Sequence, residues 1–79
     1  MEQIKRALLR KLLYLGKWGH SHTSFDNLPK GFPKHLRGNV KKVAKELIKK
    51  GLLLTKPTEY GIEVSLNPER KGEIEKIVF

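Results

Sequence analysis

Cysteine is absent from the 79 residues of the sequence. Disulfide frameworks and thiolate metal sites are therefore excluded, and a reducing compartment suits the chain. Apolar runs such as 52–54 and 77–79 are far too short to cross a bilayer. A charged amphipathic segment follows Met1, where a signal peptide would have a continuous apolar core. We expect one small cytoplasmic domain over residues 1–79, near the lower size limit for a single hydrophobic core, without membrane attachment.

Acidic residues are scarce in the first two-thirds of the chain. Residues 1–58 contain 14 Lys and Arg but only three acids, whereas residues 59–79 contain three basic residues and five acids. The net charge of +9 therefore arises from the first 58 residues. A domain with this imbalance attracts polyanions through its field before any specific contact forms. Nucleic acid, an anionic membrane surface and acidic proteins would all be attracted, so charge alone does not identify the polyanion.

Side-chain constellations typical of catalysis are missing as well. The serines Ser21, Ser24 and Ser65 have no nucleophile-elbow context, and the sequence contains no glycine-rich phosphate loop. His20 and His22 are closely spaced, but two imidazoles without a cysteine do not complete a zinc site. We therefore expect neither an enzyme nor a bound metal or cofactor.

The stretch from Pro33 to Leu53 organises the rest of the chain. Its apolar residues recur with the period of one helix face, at Leu36, Val40, Val43, Ala44, Leu47 and Ile48. Five lysines lie off this face, with Glu46 as the only acid among them: Lys41, Lys42, Lys45, Lys49 and Lys50. Gly51 follows the last periodic residue, where a left-handed helix stop is expected. The pattern predicts a basic amphipathic helix over about residues 33–50, with Asn39 as an alternative start because Gly38 weakens the helix.

Residues 2–15 predict a first helix, with Ile4, Ala7, Leu8, Leu12 and Leu15 on one face. We expect Leu9 and Leu13 to be buried inside the domain, with a dimer contact as the alternative. Thr23 or Ser24 is expected to cap a brief helix from Phe25 to Leu28. The apolar residues Phe25, Leu28 and Phe32 would anchor this segment to the long helix.

A hairpin and a last helix are predicted after Gly51. Strands over residues 52–56 and 62–66 are separated by a proline- and glycine-containing turn at 57–61. Asn67 and Pro68 are typical of a helix start, so a terminal helix is expected over about residues 68–78. This helix would cover the core against the first helix, with dimerisation as the alternative. Tyr14 and Trp18 are expected to pack against the hairpin or the terminal helix.

The order of these elements resembles that of the winged-helix branch of the helix-turn-helix proteins. The resemblance lies in Val40, Val43, Ala44, Leu47, Ile48, Gly51, Leu52 and Leu53, followed by a hairpin with Tyr60-Gly61 at its tip. The chain is also similar to small stand-alone, lysine-rich winged-helix proteins found in archaea. The two-proline connection from Pro29 to Pro33 is longer than the usual tight turn. The resemblance implies an α+β fold with a three-helix core, a wing over about 52–66 and a short terminal helix.

The resemblance further implies that the basic helix lies in the DNA major groove and that the wing contacts an adjacent groove or backbone. Carried over by position, Arg37 would recognise a guanine edge and Asn39 an adenine, whereas the lysines suit phosphates. Lys30 and His35 would add backbone contacts from the turn. The full predicted nucleic-acid-binding set is Lys34, Arg37, Asn39, Lys41, Lys42, Lys45, Lys56, Thr58 and Tyr60.

Three functions are compatible with these observations. Binding of double-stranded DNA, as in a transcriptional regulator, is the leading interpretation. Binding of RNA or a single strand is the second, and it predicts base stacking by Tyr60, Trp18 or His35. A protein-interaction domain, in which the wing and the terminal helix bind a partner, is the third. In that case the lysines would form an ordinary solvated helix face.

Overall fold

The periodic segments of the sequence form three α-helices and a small sheet in a computed structural model that describes residues 2–79. The elements are α1 (Glu2–Tyr14), β1 (Thr23–Ser24), α2 (Arg37–Lys49), β2 (Leu53–Thr58), β3 (Gly61–Leu66) and α3 (Lys71–Val78). Single 3-10 turns occur at Phe25–Asn27, Lys34–Leu36 and Pro68–Arg70. The antiparallel sheet has the strand order β1-β3-β2. The fold is therefore α+β, as the sequence predicted. The predicted helix at 25–28 is only a single 3-10 turn, so the described residues contain α1, α2 and the terminal α3 instead of a three-helix core with a further terminal helix.

One apolar core joins all three helices to the sheet. Its buried residues are Leu8, Leu9, Leu12, Leu28, Val40, Val43, Ala44, Leu47, Leu52, Leu53, Val64, Leu66, Ile74 and Val78. Full burial of one such aliphatic side chain other than alanine stabilises the fold by about 1.5–3 kcal/mol before ordering costs. Phe25 and Phe32 pack against this core from outside, and Leu28 lies within it, so all three predicted anchors join the core. The turn that carries Phe25 packs mainly against β3, whereas the sequence predicted packing against the long helix.

The buried face of α1 differs from the predicted one. Leu8, Leu9 and Leu12 are buried, which confirms burial of Leu9, whereas Ala7 and Leu15 are exposed. The four leucines at positions 8, 9, 12 and 13 outweigh one alanine in apolar area, so the helix turns the face centred on them toward the core. Leu15 follows the last residue of α1, so the helical period no longer sets its direction.

The packing predicted for Tyr14 is wrong. Its side chain is 87% exposed, because Tyr14 lies on the side of α1 opposite the buried leucines. Trp18 is half-buried against the core, and its backbone pairs with Leu66 at the end of β3. The prediction is thus confirmed for Trp18 alone.

Glycines end the two long helices in the same way. Gly16 and Gly51 have φ values of +66° and +81°, a left-handed conformation that glycine adopts without steric cost. The Leu52 amide then donates to the Leu47 carbonyl at 2.9 Å, and the Lys17 amide donates to the Leu12 carbonyl at 3.0 Å. These bonds define Schellman motifs. The predicted stop at Gly51 is confirmed.

The predicted start of the basic helix is corrected. Neither Pro33 nor Asn39 begins α2, whose first residue is Arg37. Pro33 is extended and precedes the 3-10 turn Lys34–Leu36, in which the Leu36 amide donates to the Pro33 carbonyl at 2.9 Å. The chain therefore enters the helix through a tight i→i+3 turn, which is common at helix N-termini.

The hairpin turn is shorter than predicted. Strands β2 and β3 pair from Leu53↔Leu66 to Thr58↔Gly61, which leaves only Glu59 and Tyr60 in the turn. Pro57 lies in β2 and not in the turn. This placement is tolerated because β2 is an edge strand, where the proline's missing N–H removes no bond to a further strand.

Asn67 ties the hairpin to both neighbouring helices. Its Oδ1 accepts from the Glu69 amide at 3.0 Å and caps the 3-10 turn Pro68–Arg70, and its Nδ2 donates to the Gly51 carbonyl at 2.8 Å. The terminal helix predicted over about residues 68–78 therefore begins with this turn, and α3 itself starts at Lys71 without a side-chain cap. At the other end of α3, the Arg6 Nε donates to the Val78 carbonyl at 3.0 Å. The terminal helix thus covers the core against α1, as the sequence predicted.

Replacing Asn67→Ala should lower the free energy of unfolding by about 1–3 kcal/mol, because one cap and one partly buried hydrogen bond are lost together. Ser24→Ala is the matched control, since the Ser24 hydroxyl makes one cap contact, at 3.3 Å to the Asp26 amide. Urea unfolding followed by circular dichroism measures both changes. Equal losses in the two variants would contradict the structural role given to the Asn67 Nδ2 bond.

Candidate nucleic-acid interface

One face of α2 is basic and is not covered by any other part of residues 2–79. Val40, Val43, Ala44 and Leu47 turn the opposite side of the helix into the core. The exposed residues of α2 and its C-terminal end are Arg37, Gly38, Lys41, Lys42, Lys45, Glu46, Lys49 and Lys50. Five of these eight residues are lysine, so packing of the apolar stripe leaves a ridge of ammonium groups in solvent. We call the exposed set Lys41, Lys42, Lys45 and Lys49 the lysine face.

Most of the lysine face lacks an ion-pair partner among the described residues. Among residues 2–79, the ion pairs within 4.0 Å are Lys5–Glu2, Lys41–Asp26 and Arg70–Glu73. Lys42, Lys45 and Lys49 belong to none of these pairs. Glu46 is the only acid on α2, and it forms no ion pair in the described part of the chain. The lysine face therefore keeps a net positive charge, with Lys42, Lys45 and Lys49 outside every ion pair of the described residues.

The first residues of α2 bring further predicted contacts beside this face. Lys34 and His35 are exposed in the 3-10 turn that leads into the helix, and Arg37 is exposed at its first position. Asn39 is half-buried next to the apolar side of α2. Arg37 and Lys41 therefore share an edge of the lysine face, whereas Asn39 lies on the other border.

Gly38 is an unusual residue for this position. It lies one helical turn before Lys41 and Lys42 and two turns before Lys45, so it shares their face. A Cβ built on Gly38 would meet nothing within 4 Å, and its backbone is not left-handed. Neither packing nor conformation within the domain requires glycine here, although glycine weakens a helix interior by about 1 kcal/mol relative to alanine. The open space beside Gly38 lies on the lysine face.

The hairpin presents the remaining predicted residues. Lys56 and Thr58 are exposed on one face of β2, and Tyr60 lies in the two-residue turn with 96% of its side chain exposed. The Thr58 hydroxyl donates to the Gly61 carbonyl at 2.8 Å and accepts from the Tyr60 amide at 3.2 Å. The backbone carrying Tyr60 is thereby fixed while its ring has no packing partner in the domain.

A cleft between the 3-10 turn at Phe25–Asn27 and the start of α2 was not anticipated from the sequence. Its volume is about 210 Å³, and it is lined by Asp26, Pro29, Lys30, Arg37 and Lys41. The sequence predicted nucleic-acid contacts at Lys30, Arg37 and Lys41 but none at Asp26. The cleft depends on the path of the chain between Pro29 and Pro33, which no periodic pattern specifies.

Other surfaces of the described residues are less suited to chemistry. No three His, Cys, Asp or Glu side chains in residues 2–79 come together as a metal site would require. A broad, open hollow of about 960 Å³ follows the outer side of α1, where Ala7, Arg10 and Tyr14 are exposed. No helix in the described range has the length and apolar character needed to cross a membrane.

Thr58→Ala should speed amide hydrogen exchange at Tyr60 and Gly61 because the hydroxyl links the two ends of the hairpin turn. The global free energy of unfolding should fall by no more than about 1 kcal/mol, since the lost bonds are exposed. Thr55→Ala, at an exposed strand position of β2 outside the turn, is the control. Unchanged exchange at Tyr60 would show that the hydroxyl does not hold the turn.

Comparison of the chain with protein-family models, with curated proteins and with solved structures gave no match. The function proposed below therefore depends on the residues and their geometry.

Proposed function

We propose that this chain is a winged-helix domain that binds double-stranded DNA, with α2 in the major groove and the β2–β3 hairpin as the wing. The observation that carries the proposal is the lysine face, whose Lys42, Lys45 and Lys49 have no acidic partner in the described chain. The width of the major groove admits a single α-helix, and ammonium groups on its flanks suit the phosphates on either side.

The position of the hairpin supports the same interpretation. Strand β2 follows α2 after a single Schellman turn at Gly51, and β1 pairs with β3 on the other side. This is the connectivity expected of a winged helix, in which the strand pair extends from the end of the reading helix. Lys56 and Tyr60 are exposed along it and would contact the DNA backbone or the adjacent groove.

The lysine face is expected to contribute affinity for DNA of any sequence more than discrimination between base sequences. A lysine ammonium is a point charge without the planar fork that lets arginine pair bidentately with guanine. Arg37 is the single arginine of α2, so direct base readout would rest mainly on it and on Asn39. Non-specific binding with a strong dependence on salt is therefore the first property to test.

RNA or single-stranded DNA is the second candidate, and exposure of Tyr60 favours it. An aromatic ring that is 96% exposed at a fixed turn offers a face on which an unpaired base can stack. Base stacking on an aromatic side chain contributes about 1–3 kcal/mol for each base. In this alternative, Tyr60→Ala weakens single-strand binding strongly and duplex binding little.

The proposal is tested by titrating random duplex DNA and single-stranded RNA of matched length over a salt series. We expect the protein to bind duplex DNA more tightly than RNA. In the double variant Lys42→Gln with Lys45→Gln, the slope of log binding constant against log salt concentration should become shallower by about 2, because each lost phosphate contact removes about 1. Lys71→Gln with Lys76→Gln removes the same charge from exposed positions of α3 and should change the slope less. Equal or tighter RNA binding would overturn the duplex proposal, as would equal slopes in the two double variants.

Gly38→Ala should raise the stability of the domain while weakening its binding to duplex DNA. The alanine favours the helix by up to about 1 kcal/mol, yet its methyl group should obstruct close approach of DNA and weaken duplex binding roughly tenfold, equivalent to ~1.4 kcal/mol. Gly72→Ala is the matched control, because Gly72 also lies in a helix with nothing within 4 Å of an added Cβ. Urea unfolding and duplex titration measure the two effects. A Gly38→Ala variant that binds duplex like Gly72→Ala would contradict this role for Gly38.

A further inference from the structure

The cleft beside the start of α2 combines one acid with three cations. It lies between Asp26, Pro29 and Lys30 on one wall and Arg37 and Lys41 on the other, with a volume of about 210 Å³. Arg37 and Lys30 form no ion pair within the described residues, whereas Lys41 lies 4.0 Å from the Asp26 carboxylate. The cleft therefore carries a positive excess that its own acid neutralises only in part.

The Asp26–Lys41 pair is easily replaced. Its side chains are 82% and 49% exposed, and 4.0 Å between Nζ and Oδ1 is too long for a hydrogen bond. Exposed pairs of this kind are weak, because water screens the charges and both side chains lose freedom on pairing. An incoming anion with better geometry can take the place of Asp26 at Lys41.

A phosphodiester group is the anion that these cations suit. The Arg37 guanidinium can donate two parallel hydrogen bonds to phosphate oxygens in place of a guanine edge, and Lys30 and Lys41 supply point charges from the two walls. With Arg37 on a phosphate, direct base readout by α2 would fall to Asn39. The cleft is open, as a phosphate that stays attached to a nucleic-acid chain requires. Because Arg37 and Lys41 also form one edge of the lysine face, a strand crossing that face would pass the mouth of the cleft.

We propose that this cleft binds one backbone phosphate of the nucleic acid and that Asp26 is a built-in competitor for it. In the free protein the Asp26 carboxylate is the partner of Lys41. On binding, the phosphate replaces the carboxylate, and the repulsion between the two anions lowers the affinity. This inference rests on the proposed function and adds to it a residue that limits binding.

Asp26→Asn tests the competition without disturbing the fold. The substitution keeps the shape of the side chain, and the cap bond at this turn uses the backbone amide of residue 26, which is unchanged. We expect roughly three- to tenfold tighter duplex binding, because a nearby negative charge is removed from the bound state. Glu69→Gln is the matched control, since Glu69 is also exposed, forms no ion pair in the described range and lies outside the cleft.

The Lys41→Gln background shows whether Asp26 acts through Lys41. There the gain from Asp26→Asn should shrink but stay above that of Glu69→Gln, because the competition for Lys41 no longer exists while the carboxylate still repels the phosphate. Titration with inorganic phosphate against sodium chloride of equal ionic strength, followed by amide NMR shifts, distinguishes a backbone phosphate from a free anion. We expect only weak shifts at Lys30, Arg37 and Lys41, and saturation by inorganic phosphate at concentrations that leave duplex binding unaffected would overturn the inference.

The remaining outcomes separate the inference from the proposed function. Absence of duplex binding by the unaltered protein would overturn the proposed function and this inference with it. Duplex binding that responds equally to Asp26→Asn and Glu69→Gln would overturn the inference alone. An undiminished gain from Asp26→Asn in the Lys41→Gln background would also overturn it, because the carboxylate would then act without the exchange at Lys41.

Discussion

Burial of one side of α2 is the constraint on which the rest of the structure depends. Val40, Val43, Ala44 and Leu47 meet leucines of α1 and residues of β2 and β3 in a single core. A rotation of α2 by one residue, about 100°, would bring lysines into that core, where an unpaired charge is very unfavourable. The position of the lysine face in solvent therefore follows from apolar packing. No separate interaction is needed to hold these ammonium groups outward.

The hairpin is fixed to this helix by backbone geometry. The Schellman turn at Gly51 leads directly into β2, and the Asn67 amide donates to the Leu52 carbonyl at 3.0 Å. The Asn67 side chain adds its bond to the Gly51 carbonyl. The end of α2, the start of β2 and the end of β3 thus meet at one point. The hydrogen bonds of Asn67 therefore fix the position of the hairpin relative to the end of α2.

The sequence predicted those features that a local physical rule specifies. The helical period located α2, the strand alternation located β3, and Gly51 and Asn67 marked the ends of elements because their roles depend on nearby backbone groups. The features that the sequence did not predict depend on contacts between residues that are far apart in the chain. The orientation of α1 depended on the total apolar area of its leucines against the core, and Pro57 is compatible with β2 only because β2 is an edge strand of the described sheet. The cleft at Asp26 depended on an irregular connection that no period describes.

The charges of α2 conflict with its own helical structure. Lys41 and Lys45, like Lys45 and Lys49, are four residues apart, a spacing at which like charges destabilise a helix. Arg37 lies at the N-terminal end, where the helix dipole disfavours a cation, and the first turn of α2 contains no acid. Asp26, in the 3-10 turn Phe25–Asn27, is the only described carboxylate that forms an ion pair with the N-terminal half of α2, through Lys41. The core holds the helix together despite this repulsion. A polyanion that binds along α2 relieves the repulsion in the folded state, so binding and stability are thermodynamically coupled.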